Sequence, residues 1–243
     1  MLFSTEISLN EAELIGKRIY ANECSSKADK LIWWNDGEDF ASLGIGHFIW
    51  YPENKHGPFE EAFPLLLTFL SEQGTEPPAW LKSAKGCPWN SKEEFLKKES
   101  ATQKKELQDI LTQSIALQAM FIVQRFEQSL SKLLDKVSEQ DKSRITKHLE
   151  KLQESLQGKY ALIDYHNFKG AGIAESEQYK GEGWGLKQVL EKMPENEKDP
   201  LLSFTNTAKD LLKRRVQNAP EERKEERWLP GWLSRVESYS QNF

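Results

Sequence analysis

A chain of 243 residues, 38% of them hydrophobic, is long enough for one large domain or two small ones. Its formal net charge of −5 argues against nucleic acid as the main partner, because binding to phosphates needs a basic face. The two cysteines, Cys24 and Cys87, exclude a disulfide framework and leave a single bridge open, and no Cys/His spacing resembles a zinc site.

Membrane and export signals are absent from the residue pattern. No stretch approaches the roughly 20 apolar residues that a membrane-spanning helix needs. The first residues, MLFSTEISLNEAEL, lack the basic start and the long apolar run of a signal peptide. We therefore expect no membrane span, and export only if the natural precursor carries a signal peptide.

A first helix is predicted to begin at residues 8–11, whose Ser-x-x-Glu pattern is that of a capping box. Ala12, Ile15 and Ile19 then recur at helical spacing on one face. Glu23 lies four residues beyond Ile19, so it extends this apolar face and ends the helix. A carboxylate in that position is either desolvated or lines a cleft.

A β-hairpin is predicted directly after this helix. Residues 31–35 are bulky and aromatic, residues 36–39 (Asp-Gly-Glu-Asp) have turn composition, and residues 40–50 are predicted to be the second strand. Gly44 and Gly46 weaken that strand. They indicate that a ligand or another backbone approaches closely there.

The rest of the chain is predicted to be mostly helical. Residues 59–71 are expected to form a helix that Pro64 kinks or breaks. A long, partly apolar helical region follows over residues 102–137. A more polar helix over residues 138–157 is a possible insertion. The expected fold class is mainly α (α+β), with one domain over residues 1–243.

Three carboxylates around the hairpin fit the chemistry of glycoside cleavage. That reaction needs an acid that protonates the leaving oxygen, and usually a second carboxylate that attacks the sugar or activates water. Glu23, on an apolar face, suits the acid, whereas Asp36 and Glu38 lie in a turn where solvation favours the ionised form. A separation of about 6.5–9.5 Å between the two carboxyl groups would predict inversion, and about 5–5.5 Å retention.

The same segment resembles the active-site region of the lysozyme superfamily. In phage-type lysozymes a helix ends with the catalytic glutamate, and a hairpin follows with an aspartate and a Thr-Ile-Gly-Ile-Gly-His stretch. The present chain has Ser-Leu-Gly-Ile-Gly-His at residues 42–47. In this register Glu23 matches the glutamate, Asp36 the aspartate and Ser42 the threonine. This resemblance covers roughly residues 9–50. The whole chain also resembles a bacterial branch of the superfamily that has a Gly-Ile-Gly-His-Phe-Ile-Trp stretch, found here at residues 44–50.

The resemblance implies a lysozyme-like helical domain that cleaves the glycan strand of peptidoglycan. Glu23 would be the general acid, Glu38 or Asp36 the second carboxylate, and Ser42 would help to place the attacking water. No metal or organic cofactor is expected. The alternatives are a lytic transglycosylase, which uses the glutamate alone, a catalytically inactive glycan- or protein-binding module on the same fold, and a helical structural protein without a sugar site.

The expected partner is a polysaccharide, either peptidoglycan or a chitin-like glycan. Aromatic side chains stack on sugar faces, and alternation along a strand sends some of them to each side of the sheet. The candidate substrate-binding residues are His47, Trp34, Trp50 and Tyr51, and a role in the core is open for each. A wall-cleaving enzyme would act in the periplasm or outside the cell.

Overall fold

A computed structural model of the chain describes residues 5–195 and 197–243 and is 64% helical, which confirms the predicted mainly helical class with a small sheet. The α-helices of the described residues are α1 (Leu9–Cys24), α2 (Phe63–Glu72), α3 (Ala79–Lys82), α4 (Lys92–Leu96), α5 (Ala101–Gln113), α6 (Ile115–Asp135), α7 (Glu139–Gln153), α8 (Leu156–Lys169), α9 (Leu186–Lys192), α10 (Pro200–Asn218) and α11 (Leu229–Glu237). Their β-strands are β1 (Ile32–Trp33), β2 (Ala41–Leu43), β3 (Phe48–Trp50), β4 (Gln178–Tyr179) and β5 (Glu182–Gly183).

Contacts divide the chain into two compact units. One unit is Ile7–Ile122, and the other is Val123–Phe243 together with Thr5 and Glu6. The boundary falls inside α6. All the candidate site residues belong to the first of these units, which also contains the three-stranded sheet.

Helix α1 begins and packs as its sequence predicts. Ser8 caps it, and the side chains of Ser8 and Glu11 form the reciprocal hydrogen bonds of a capping box. Its apolar face is fully buried. A Cβ added to Gly16 would lie 3.1 Å from Ala119 Cβ, so the glycine lets α1 approach the first turns of α6 closely. The helix ends after Cys24, where Ser25 adopts a left-handed conformation.

The sheet differs from the predicted hairpin because the glycine-rich stretch is a turn and not a strand. Strands β1, β2 and β3 form one antiparallel sheet in that order. Gly44 and His47 both have positive φ, +71° and +47°, which reverses the chain between β2 and β3. The His47 N–H donates to the Gly44 carbonyl at 3.3 Å and closes the turn. The predicted first turn is present, with Gly37 at φ +78°.

Two of the predicted helices have different bounds. Pro64 lies in the first turn of α2, where its missing N–H costs nothing, so it begins the helix and does not kink it. The long helical region separates into α5 and α6 at Ser114. The Ser114 hydroxyl donates to the Ile110 carbonyl at 2.8 Å, a local bond that competes with the helical backbone ladder.

The second unit contains the C-terminal part of α6, helices α7 to α11 and the β4–β5 hairpin. Helix α7 begins at the Ser138 cap and packs on α8, α9 and α10. The core of the second unit contains a buried ion pair, in which Arg235 donates hydrogen bonds to both carboxylate oxygens of Asp164, at 2.8 and 2.9 Å. The Tyr239 hydroxyl donates to the same carboxylate at 2.8 Å. Three donors thus satisfy a carboxylate that has no solvent contact.

Candidate functional site

Glu23 lies in the last turn of α1, where the helix meets the sheet segment. Its side chain is only 14% exposed, and its Oε2 atom is 3.6 Å from Nδ1 of His47. His47 is 44% exposed and belongs to the turn between β2 and β3. The structure therefore brings together two residues that the sequence analysis placed in the site, a shielded carboxyl group and an accessible imidazole.

The turn that carries His47 is held by Gln118 of α6. This glutamine is fully buried, and its Oε1 accepts the Ile45 N–H at 2.9 Å. Its amide nitrogen donates to the Leu111 carbonyl at 2.6 Å and to Ser114 Oγ at 3.0 Å. A Cβ on Gly44 would collide with Gln118 Oε1, so the glycine is needed for this close approach as well as for its positive φ.

Sequence analysis missed Gln118, although a signal was present. It is a polar residue inside the apolar run IALQAMFIV, and a polar residue at such a position is expected to be buried with hydrogen-bond partners. The partner on the glycine-rich turn, 73 residues away in sequence, could not be read from that run.

The two candidates for the second carboxylate have different surroundings. Asp36 is 97% exposed and forms an ion pair with Lys92 at 2.6 Å. Glu38 is partly shielded, and its Oε2 accepts a hydrogen bond from the Asn35 side-chain amide at 2.8 Å. Glu38 is therefore the more shielded of the two carboxylates, whereas Asp36 lies at the surface in a salt bridge.

Ser42 occupies the middle of a cross-strand row on one face of the sheet. Its backbone is in register with Trp33 on β1 and with Ile49 on β3. Ser42 itself is buried, while Trp33 is 48% exposed. Since side chains directly opposite each other share a face, Ser42 and the exposed indole are neighbours. The predicted water-placing residue thus lies beside an aromatic surface.

The other three aromatic candidates are core residues. Trp34, Trp50 and Tyr51 are all buried. The Trp50 ring packs 4.9 Å from that of Phe63, and the Tyr51 ring packs 5.3 Å from that of Phe40. Their rings are covered by protein, and each residue has the role in the core that the sequence left open for it.

Cys24 and Cys87 are both free and buried, so the bridge that the sequence left open does not form. Burial, and then the charge of Glu23, raises the pKa of the Cys24 thiol to about 12. Burial raises the pKa of Cys87 to about 12 as well. Neither sulfur is a thiolate at neutral pH, which argues against a nucleophilic cysteine beside Glu23.

Comparison of the chain with protein-family models, with curated proteins and with solved structures finds no match in any of the three. No helix within residues 5–195 and 197–243 is both long and apolar enough to cross a membrane. In the same described ranges, no three His, Cys, Asp or Glu side chains come together as a metal site would require.

Proposed function

We propose that this protein is a glycoside hydrolase with a lysozyme-like fold that cleaves the glycan strand of peptidoglycan. One observation carries the proposal. A shielded glutamate, Glu23, ends the first helix and contacts His47 in the glycine-rich turn of a small antiparallel sheet. This order of helix, glutamate, sheet and Gly-Ile-Gly-His turn is the one that the resemblance to phage-type lysozymes implies.

In the proposed reaction Glu23 is the general acid. Its carboxyl proton goes to the glycosidic oxygen as the bond to the sugar carbon breaks. Its place favours this role, because Glu23 ends α1 beside the sheet and its side chain is only 14% exposed. The neighbouring His47 imidazole, on a turn fixed by Gln118, keeps a polar group beside the carboxyl and so limits its orientation.

Glu38 is the proposed second carboxylate, either holding water or stabilising positive charge on the sugar. The Asn35 amide that donates to it would orient the carboxylate. Ser42, in register with the neighbouring strand, would assist in placing water. Asp36 is the less favourable choice, because its carboxylate lies at the surface and already forms an ion pair with Lys92.

A lytic transglycosylase is the second candidate. This class uses a single glutamate and forms an anhydro-sugar, with no need for a second carboxylate. The shielded Glu23 fits this class equally, because the glutamate at the end of α1 is the one carboxyl group that such a mechanism needs. In either case the partner is a polysaccharide, and the place of action is the periplasm or the cell exterior.

The test is a digest of purified peptidoglycan, with the products identified by mass spectrometry. Wild type is compared with Glu23→Gln, and Glu13→Gln serves as the control because Glu13 is an exposed glutamate of the same helix. Reducing-end fragments from wild type and from the control, but not from Glu23→Gln, would support the hydrolase. Anhydro products with the same dependence on Glu23 would support the transglycosylase. Glycan binding without fragments from any variant would refute both and indicate a binding module.

A further inference from the structure

The exposed face of the sheet carries a large aromatic side chain without an assigned role. Trp33 is 48% exposed, whereas its chain neighbour Trp34 is 1% exposed. Successive residues of a strand point to opposite faces, so this difference identifies the side of β1 that is open. Within the residues that the structure describes, β1 is also an edge strand of the three-stranded sheet.

The Trp33 indole is held in one orientation. Its Nε1–H donates to Asn35 Oδ1 at 2.9 Å. The amide nitrogen of Asn35 donates in turn to Glu38 Oε2 at 2.8 Å. One asparagine therefore fixes both the aromatic ring and the carboxylate that we propose as the second catalytic group.

The Trp33 ring lies beside two residues of the proposed reaction centre, Ser42 and Glu38. Trp33 lies directly opposite Ser42 in the antiparallel pair, which puts their Cβ atoms about 5 Å apart. Glu38 is linked to the same indole through Asn35. The open ring is thus flanked by Ser42 on the adjacent strand and by Glu38 in the turn.

An exposed, fixed indole beside polar groups matches the chemistry of a sugar ring. The axial C–H groups of a hexopyranose make one face apolar, and they are attracted to the negative face of an aromatic ring. The hydroxyl and amide groups around the sugar's rim need polar partners, and the partly shielded Glu38 supplies one. Because the indole is already oriented, little rotamer entropy is lost on binding.

We infer that Trp33 is the floor of a sugar-binding subsite next to Glu38, which takes one hexopyranose ring of the glycan strand. This inference rests on the proposed function, since the glycan is the substrate proposed there. Trp33 acts through binding, and Asn35 is the positioning residue that orients it. The aromatic contact expected at Trp34, Trp50 or Tyr51 is thereby assigned to the neighbouring tryptophan.

The test is a binding titration with a defined probe, the tetrasaccharide of N-acetylglucosamine, measured by calorimetry. The parent protein carries Glu23→Gln so that the probe stays intact. Trp33→Ala is compared with Trp33→Phe, which keeps an aromatic face, and with Trp228→Ala, which removes a similarly exposed tryptophan of the other unit. We expect Kd to rise at least about tenfold for Trp33→Ala, less for Trp33→Phe, and to be unchanged for Trp228→Ala.

A kinetic measurement separates binding from folding. In the protein with Glu23 intact, Trp33→Ala should raise KM for glycan fragments while its kcat and thermal stability stay close to wild type. Asn35→Ala should raise KM by a smaller factor and should also lower kcat, without loss of stability, because Asn35 is hydrogen-bonded to Glu38 as well as to Trp33. Loss of kcat and of stability together would indicate a structural role and contradict the subsite.

Failure of the subsite and failure of the proposed function give different results. If Trp33→Ala binds the tetrasaccharide within twofold of its parent, or if the parent does not bind it, the subsite is refuted whatever the digest shows. If Glu23→Gln still releases fragments while Trp33→Ala weakens binding, the proposed acid is wrong and the subsite stands.

Discussion

Replacing Gln118 by alanine is expected to destabilise the fold and to release the turn of the candidate site. Gln118 is fully buried and makes three hydrogen bonds, one from the Ile45 N–H and two to Leu111 and Ser114. Alanine leaves the Ile45 N–H and the Leu111 carbonyl without this partner. It also leaves a cavity against Gly44, whose backbone is packed on the glutamine oxygen.

The magnitude follows from the groups left without a partner. A buried donor or acceptor without a partner costs about 1–3 kcal/mol, and two such groups with partial relaxation amount to about 3 kcal/mol. For a chain of this length that corresponds to a fall in Tm of about 6–12 °C. The proposed glycan cleavage should fall further than the folded fraction does, because the same turn carries His47 next to Glu23.

Urea unfolding and thermal melting of two matched variants test this reasoning. Methionine has a similar volume to glutamine but no amide group. Gln118→Met should therefore lose most of the stability that Gln118→Ala loses, which separates the effect of the hydrogen bonds from that of the cavity. Gln113→Ala, at an exposed glutamine of α5, should stay within about 0.5 kcal/mol of wild type. The reasoning is refuted if Gln118→Met is as stable as wild type.

Three further predictions concern the ion pair of Asp164, the histidine His166 and the two cysteines. Asp164→Asn should lower the free energy of unfolding by about 3–5 kcal/mol, measured in urea, because it leaves the buried charge of Arg235 without its partner. Burial lowers the pKa of His166 to about 4, so the unfolded chain binds more protons between about pH 6.5 and 4. Stability should therefore fall as pH falls through this window, by up to about 3 kcal/mol, and His166→Gln should weaken that dependence in urea titrations. At pH 8 a thiol reagent should label neither Cys24 nor Cys87 in the folded protein and both in urea.

Each of these predictions has a control or an opposite outcome. Asp135→Asn, at an exposed aspartate, should change stability by less than about 0.5 kcal/mol. His56→Gln, at an exposed histidine, should leave the pH dependence as it is in wild type. Equal loss of stability in Asp164→Asn and Asp135→Asn would contradict the argument from the buried ion pair. The same dependence of stability on pH with and without His166 would contradict the argument from its lowered pKa. Rapid labelling of the folded protein would contradict the argument from the buried thiols.

Local patterns in the sequence were sufficient for the helix that carries Glu23. The Ser8 capping box and the spacing of apolar residues depend on contacts within a few residues, so α1 forms where predicted. The same holds for the turn at Gly37, where a positive φ is needed. The glycine-rich stretch was predicted as strand because its apolar composition outweighed its two glycines, whereas in the structure it turns at Gly44 and docks on Gln118.

The sequence by itself determined the mainly helical class and the position of Glu23 at a helix end. Only the tertiary structure decided which groups surround that end: the imidazole of His47, the salt bridge that engages Asp36, and the exposure of Trp33. Alternation along a strand predicts that adjacent tryptophans point to opposite faces. Which of the two becomes buried depends on residues from distant parts of the chain. Long-range packing thus selected the residues that stay exposed, since burial depends on contacts that no local pattern contains.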